Sequence, residues 1–127
     1  MMDEKKEQKL LSRKRIKKNY KGFLKIEKIL EEVKFKVKSL YGDKLKSVIL
    51  YGSYARGEEK QKSDIDIAVI LKGDFELFKE IDRIIDVTYD IGLNYSVLLS
   101  IKPISEQDYD KPNTILILNL IEDGILI

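Results

Sequence analysis

The chain has 127 residues and a mass of 14.8 kDa, with 36% charged and 43% hydrophobic residues, a balance that fits one compact soluble domain and leaves no room for a second. Cysteine and histidine are both absent, which excludes disulfides, thiol nucleophiles, imidazole acid–base chemistry and zinc sites built from Cys or His. The net charge of +2 is unevenly spread: residues 1–46 carry 16 Lys/Arg and 7 Asp/Glu, whereas residues 47–127 carry 8 and 15.

Any catalysis must therefore draw on carboxylates, hydroxyls, amines or backbone, and the acidic half is where carboxylate chemistry can sit. The basic half can attract a polyanion or an acidic partner. The 18 Ile and 20 Lys equally fit the bias of an AT-rich or heat-adapted genome, in which case many of the lysines are only solvated surface. The longest apolar runs, such as Ile115 to Leu118, fall far short of a bilayer span, and the opening Met-Met-Asp-Glu-Lys-Lys has no apolar targeting core. A cytoplasmic protein with no membrane association is expected.

Residues 1–22 hold 9 Lys/Arg against 3 Asp/Glu and few aliphatics, and are read as a basic arm or helix, a candidate nucleic-acid or acidic-partner contact. Residues 23–127 are expected to form the domain proper. Phe23, Ile26, Leu30, Val33, Val37 and Leu40 recur at helical spacing and predict an amphipathic helix that stops at Tyr41-Gly42-Asp43. Ser47 to Tyr51 is a short buried strand running into a tight turn at Gly52-Ser53, and residues 58–63 are polar loop. Ile65 to Leu71 is a second buried strand. Asp74 can cap a helix over 75–92 with an apolar stripe of Leu77, Phe78, Ile81, Ile84, Ile85, Thr88 and Ile91. Tyr95 to Ile101 is expected as a third strand ended by Pro103, followed by a capped turn at Ser105 and a last short helix over 113–122. The fold class is α+β, an α/β sandwich with a small mixed sheet covered by helices.

One stretch carries chemistry. Asp64 and Asp66 are two residues apart where an otherwise apolar strand begins, so strand alternation sets both carboxylates on one face. Two like charges there repel, and a divalent cation relieves them; Mg²⁺ suits such a pair because it takes one or two carboxylates together with substrate phosphates. Upstream, Gly52 allows an unusual backbone angle and close approach of backbone to ligand, while the Ser53 hydroxyl and the following N–H groups can donate to phosphate oxygens. Arg56 adds a cation.

Gly52-Ser53, ten residues, then Asp64-Ile65-Asp66 resembles the signature of the DNA-polymerase-β-like nucleotidyltransferase superfamily. The fuller Gly-Ser-Tyr-Ala-Arg-Gly and Ser63-Asp-Ile-Asp-Ile look most like its minimal nucleotidyltransferases. The resemblance implies that Gly52 and Ser53 contact the nucleotide phosphates, and that Asp64 and Asp66 are catalytic and hold Mg²⁺ for in-line attack on the α-phosphate of ATP; Arg56 and Ser63 complete the expected nucleotide-binding set. It further implies a small helical HEPN toxin as partner, whose hydroxyl receives AMP. The family usually adds a third carboxylate from a neighbouring strand. Here the expected third strand has none; Ser96 and Ser100 share a face of it, and Asp86 and Asp90 lie on the preceding helix. Two alternatives stand beside protein adenylylation: a small-molecule nucleotidyltransferase of the aminoglycoside-modifying kind, and a non-catalytic nucleotide-binding module that neutralises its partner by contact.

Overall fold

The computed structural model describes residues 21–127, so all but the last two residues of the expected arm lie outside the described residues. Helix α1 (Lys21–Tyr41) buries Phe23, Ile26, Ile29, Leu30, Val33 and Val37 on one stripe and ends where Gly42 takes a left-handed φ of 55°. A single 3₁₀ turn leads into β1 (Leu45–Tyr51), which runs directly into the short helix α2 (Gly52–Arg56). After a polar loop come β2 (Ile65–Leu71), α3 (Leu77–Tyr95), β3 (Leu99–Ser105), α4 (Glu106–Asp110), α5 (Ile115–Asp123) and β4 (Ile125–Leu126).

The sheet has the order β3-β2-β1-β4, with β1 antiparallel to β2 and β4, and β2 parallel to β3. Helices cover both faces. Val48, Leu50, Ile65, Ile67 and Val69 pack under α1 and α3, while Ile49, Ala68 and Ile70 pack with Tyr109 of α4 and Ile117, Leu120 and Ile121 of α5. The apolar run of β2 follows from this double cover: alternate residues face opposite layers and both layers are dry. Each fully buried isoleucine contributes about 1.5–3 kcal/mol relative to exposure. The expected α+β class and mixed sheet are what is found, and among the described residues no helix is long and apolar enough to cross a membrane.

Four local expectations need correction. The third strand begins at Leu99, not Tyr95: Tyr95 extends the stripe of α3 one turn beyond Ile91, its hydroxyl donates to Glu32 of α1, and Ser96 at φ 53° ends the helix. Pro103 lies inside β3, which it can do because β3 is an edge strand and the missing N–H need not serve a second neighbour. Helix α3 begins at Leu77 with Glu76 at its N-cap and no side-chain cap, so Asp74 does not cap it. Its expected stripe also divides: Ile84, Thr88 and Ile91 are buried with Glu80, whereas Leu77, Phe78 and Ile85 face outward. The last helix is found as expected, capped by the Thr114 hydroxyl on the Ile117 N–H, and so is the Ser105 cap, which accepts from Asp108.

Candidate active site

Because β1 and β2 are antiparallel, the end of one lies beside the start of the other. Tyr51 pairs with Asp66, and this brings Gly52 and Ser53 next to a carboxylate that is more than ten residues away in sequence. Alternation gives Asp66 the same face as Ala68 and Ile70; it is half-buried, while Asp64, one residue before the strand, is exposed.

Gly52 has a φ of 75°, and a Cβ there would run into the Asp66 carboxylate, with Asp66 Cγ at 3.1 Å and Cβ at 3.2 Å. The glycine thus has two reasons to be present: the left-handed angle that turns β1 into α2, and the space the carboxylate fills. Helix α2 is closed by Gly57 at φ 72° and by the Glu58 N–H donating to the Ser53 carbonyl at 2.9 Å. This leaves the half-buried Ser53 at the start of the turn, close in sequence to the Gly52–Asp66 contact.

Burial, and then the charge of Asp64, push the Asp66 carboxyl above its usual range, while Lys102 and Arg56 pull it down. Burial and the Asp66 charge raise the neighbouring Tyr51 phenol to about 12. Arg56 is partly committed elsewhere: its Nε donates to Glu58 at 3.1 Å and its guanidinium lies 3.9 Å from Asp123 on α5. Ser63 accepts from the Lys60 N–H at 2.7 Å and returns its own N–H to the Lys60 carbonyl at 3.0 Å. In the structure its hydroxyl thus ties off the loop that delivers Asp64.

The structure therefore brings Gly52, Ser53, Asp64 and Asp66 to one edge, with Arg56 within electrostatic reach and Ser63 in the supporting loop. It separates the candidates for a third acid. Ser96 caps α3 and is not on the strand, and the exposed Asp86 and Asp90 belong to a helix packed on the opposite face of the sheet from Asp66. Ser100 is the residue of β3 directly opposite Asp66, and Lys102, opposite Ala68, shares its face. Lys102 went unnoticed in the sequence because the expected strand stopped at Ile101; period-two spacing from Ser100 would have singled it out.

Among the described residues no three Asp or Glu side chains gather to hold a metal. The pair Asp64 and Asp66 nevertheless fits Mg²⁺, which binds through one or two carboxylates and completes its shell with water and phosphate oxygens. The physical sign of the fit is the Asp66 carboxyl itself, half-buried beside a like charge and lodged against a backbone that only glycine can form.

Residues 26–116 match the model of a family described as the nucleotidyltransferase domain. Two Methanocaldococcus jannaschii proteins that carry the provisional name protein adenylyltransferase are similar to the chain. One is 36% identical over 77 residues, covering 61% of this chain and 77% of its own; the other is 35% identical over 99 residues, covering 77% and 93%. In fold, the chain is similar to a crystal structure from Sulfolobus solfataricus described as a nucleotidyltransferase, with a TM-score of 0.56 and 22% identity over 81% of this chain and 79% of that one. A toxin-antitoxin structure with AMP-PNP shares the fold at a TM-score of 0.54 and 20% identity, over 76% and 70% of the two chains. The β1–α2 glycine turn, the carboxylate pair opposite it and the family match over most of the chain together make this protein a member of the nucleotidyltransferase domain family.

Proposed function

We propose that the protein transfers AMP from Mg-ATP to a hydroxyl of a partner protein, and that the partner is the helical HEPN toxin for which it acts as antitoxin. The observation that carries the reading is the placement of Asp64 and Asp66 against Gly52 and Ser53 across the β1–β2 pair. In this reading the Ser53 hydroxyl and the N–H groups that begin α2 hold phosphate oxygens, with Arg56 adding positive charge. Asp64 and Asp66 hold the cation, which supplies charge neutralisation at the phosphates. The acceptor oxygen forms a bond to the α-phosphorus, the bond to the bridging oxygen breaks, pyrophosphate leaves and the hydroxyl proton passes to solvent.

A protein acceptor is supported by an apolar groove of about 260 Å³ between α3 and β3, lined among others by Ile85, Tyr89, Leu93 and Leu98. These four side chains are more than half exposed; the groove lies on the face of the sheet opposite Asp66, and its Leu98 end is tied to the start of β2 by the Ile65 N–H, which donates to the Leu98 carbonyl at 2.9 Å. The names of the relatives and the toxin-antitoxin neighbour point the same way. A second reading, contact-only neutralisation by a nucleotide-binding module, is favoured by the serine opposite Asp66.

Parallel incubations with ATP labelled at the α-phosphate, Mg²⁺ and either candidate helical partners or an aminoglycoside separate the readings. Label on the partner protein supports adenylylation. Stable association without label supports neutralisation by contact, and label on an aminoglycoside supports the small-molecule enzyme.

A further inference from the structure

Strand β3 places a hydroxyl and then an ammonium group along the face that carries Asp66. Ser100 stands opposite Asp66 and Lys102 opposite Ala68, so the two rungs next to the carboxylate hold no acid. Lys102 is exposed, and its charge acts on the Asp66 carboxylate. Arg56, the other cation that acts on Asp66, is shared with Glu58 and Asp123. A site that clamps two divalent cations needs further anionic ligands to bridge them. Here the neighbouring strand offers a neutral oxygen and a positive charge, and among the described residues no third acid joins the pair. A second divalent ion would sit next to an ammonium group without a carboxylate of its own.

We infer that this site binds nucleoside triphosphate with a single divalent cation, and that Lys102 serves as the fixed positive charge, contacting the polyphosphate where a second ion would otherwise lie. The inference rests on the nucleotide-transfer reading and adds to it a metal count and a phosphate-binding residue. One divalent ion neutralises Asp64 and Asp66; the Lys102 ammonium then faces phosphate oxygens as a point charge. Ser100 is small and neutral, so on β3 itself nothing competes for Lys102, and the acid its charge acts on is Asp66.

The test uses the full chain, Mn²⁺ in place of Mg²⁺, and ATP with a methylene group between its α- and β-phosphates, so that nothing turns over. Electron paramagnetic resonance counts bound Mn²⁺ per protein–nucleotide complex, and calorimetry reads nucleotide affinity. Wild type should bind one Mn²⁺. Lys102→Met should lose about ten- to a hundredfold in nucleotide affinity, as expected for one charge-assisted phosphate contact, with the count still one. Lys102→Arg should restore most of that loss, which a merely structural lysine would not require. The double variant Ser100→Asp/Lys102→Ala should bind two Mn²⁺. Two Mn²⁺ in wild type, or unchanged affinity in Lys102→Met, would overturn the inference while leaving the nucleotide site in place. A wild type that binds neither nucleotide nor Mn²⁺ would overturn the inference and the underlying reading together.

Discussion

The two ends of β2 answer to different demands. From Ile67 to Leu71 every side chain is buried, sandwiched between α1 and α3 on one face and α4 and α5 on the other. At the opposite end Asp64 is exposed, Asp66 is half-buried, and the two repel. The apolar end gains from folding alone, whereas the acidic end is raised in energy until something positive arrives. A strand locked over five buried residues can hold such a pair in place, because the repulsion is too small to unzip the sheet that carries it.

Substitutions at the two ends should therefore have opposite signatures. The largest change in stability is expected from Ile67→Ala, which empties a fully buried site and should cost about 2–5 kcal/mol in denaturant unfolding. Nucleotide affinity of the molecules that remain folded should be unchanged; a loss of affinity beyond the loss of folded protein would show that the two ends are not separable. Gly52→Val should be less costly, about 1–2 kcal/mol for the left-handed backbone plus the displacement of Asp66, yet it should abolish triphosphate binding. Full-strength binding by calorimetry would reduce the turn to a mere connection.

Asp66→Asn should go the other way and raise the melting temperature without metal. The Asp66 carboxyl is pushed above its usual value of 3.8 in the folded protein, so the folded state holds the proton more tightly than the unfolded chain does. Stability contributed at this position is then lost as pH climbs from the unfolded value through the raised one, and the penalty is complete above it. Melting curves of variant and wild type should converge near pH 3 and separate toward neutrality; a constant offset across that range would contradict the repulsion. The smallest effect is expected from Ser63→Ala, about 0.5 kcal/mol for one loop hydrogen bond, with a modest weakening of nucleotide binding as Asp64 loses a fixed approach. If Ser63→Ala instead removes binding while stability is untouched, the hydroxyl contacts the ligand directly.

How much of this was legible in the sequence depended on whether the signal was local. The stripe of α1 and the apolar run of β2 were readable because burial imposes a period, and the glycine–serine turn and acid pair because their residue types are unusual where they stand. The boundary of β3 was not: Tyr95 to Val97 reads as well as a strand, and the bond from Tyr95 to Glu32 that ties the end of α3 to α1 is made across 63 residues. Pro103 reads as a stop only if the strand is central, and nothing local marks β3 as an edge. That one misplaced boundary hid Lys102. The short helix at Gly52–Arg56 and the two-residue strand at Ile125–Leu126 are below the length at which periodicity can be seen. The meeting of Gly52 with Asp66 follows from antiparallel pairing, which the motif spacing hints at and only the register states.

The most direct test of the central claim is calorimetric titration of Mg²⁺ and the α,β-methylene analogue of ATP into wild type, Asp64→Asn and Asp66→Asn, each first shown to be folded by its melting curve. The account predicts saturable binding to wild type that requires Mg²⁺, and loss of that binding in both variants although neither is less stable. Equal affinity in all three proteins, or binding to wild type that is indifferent to Mg²⁺, would contradict it.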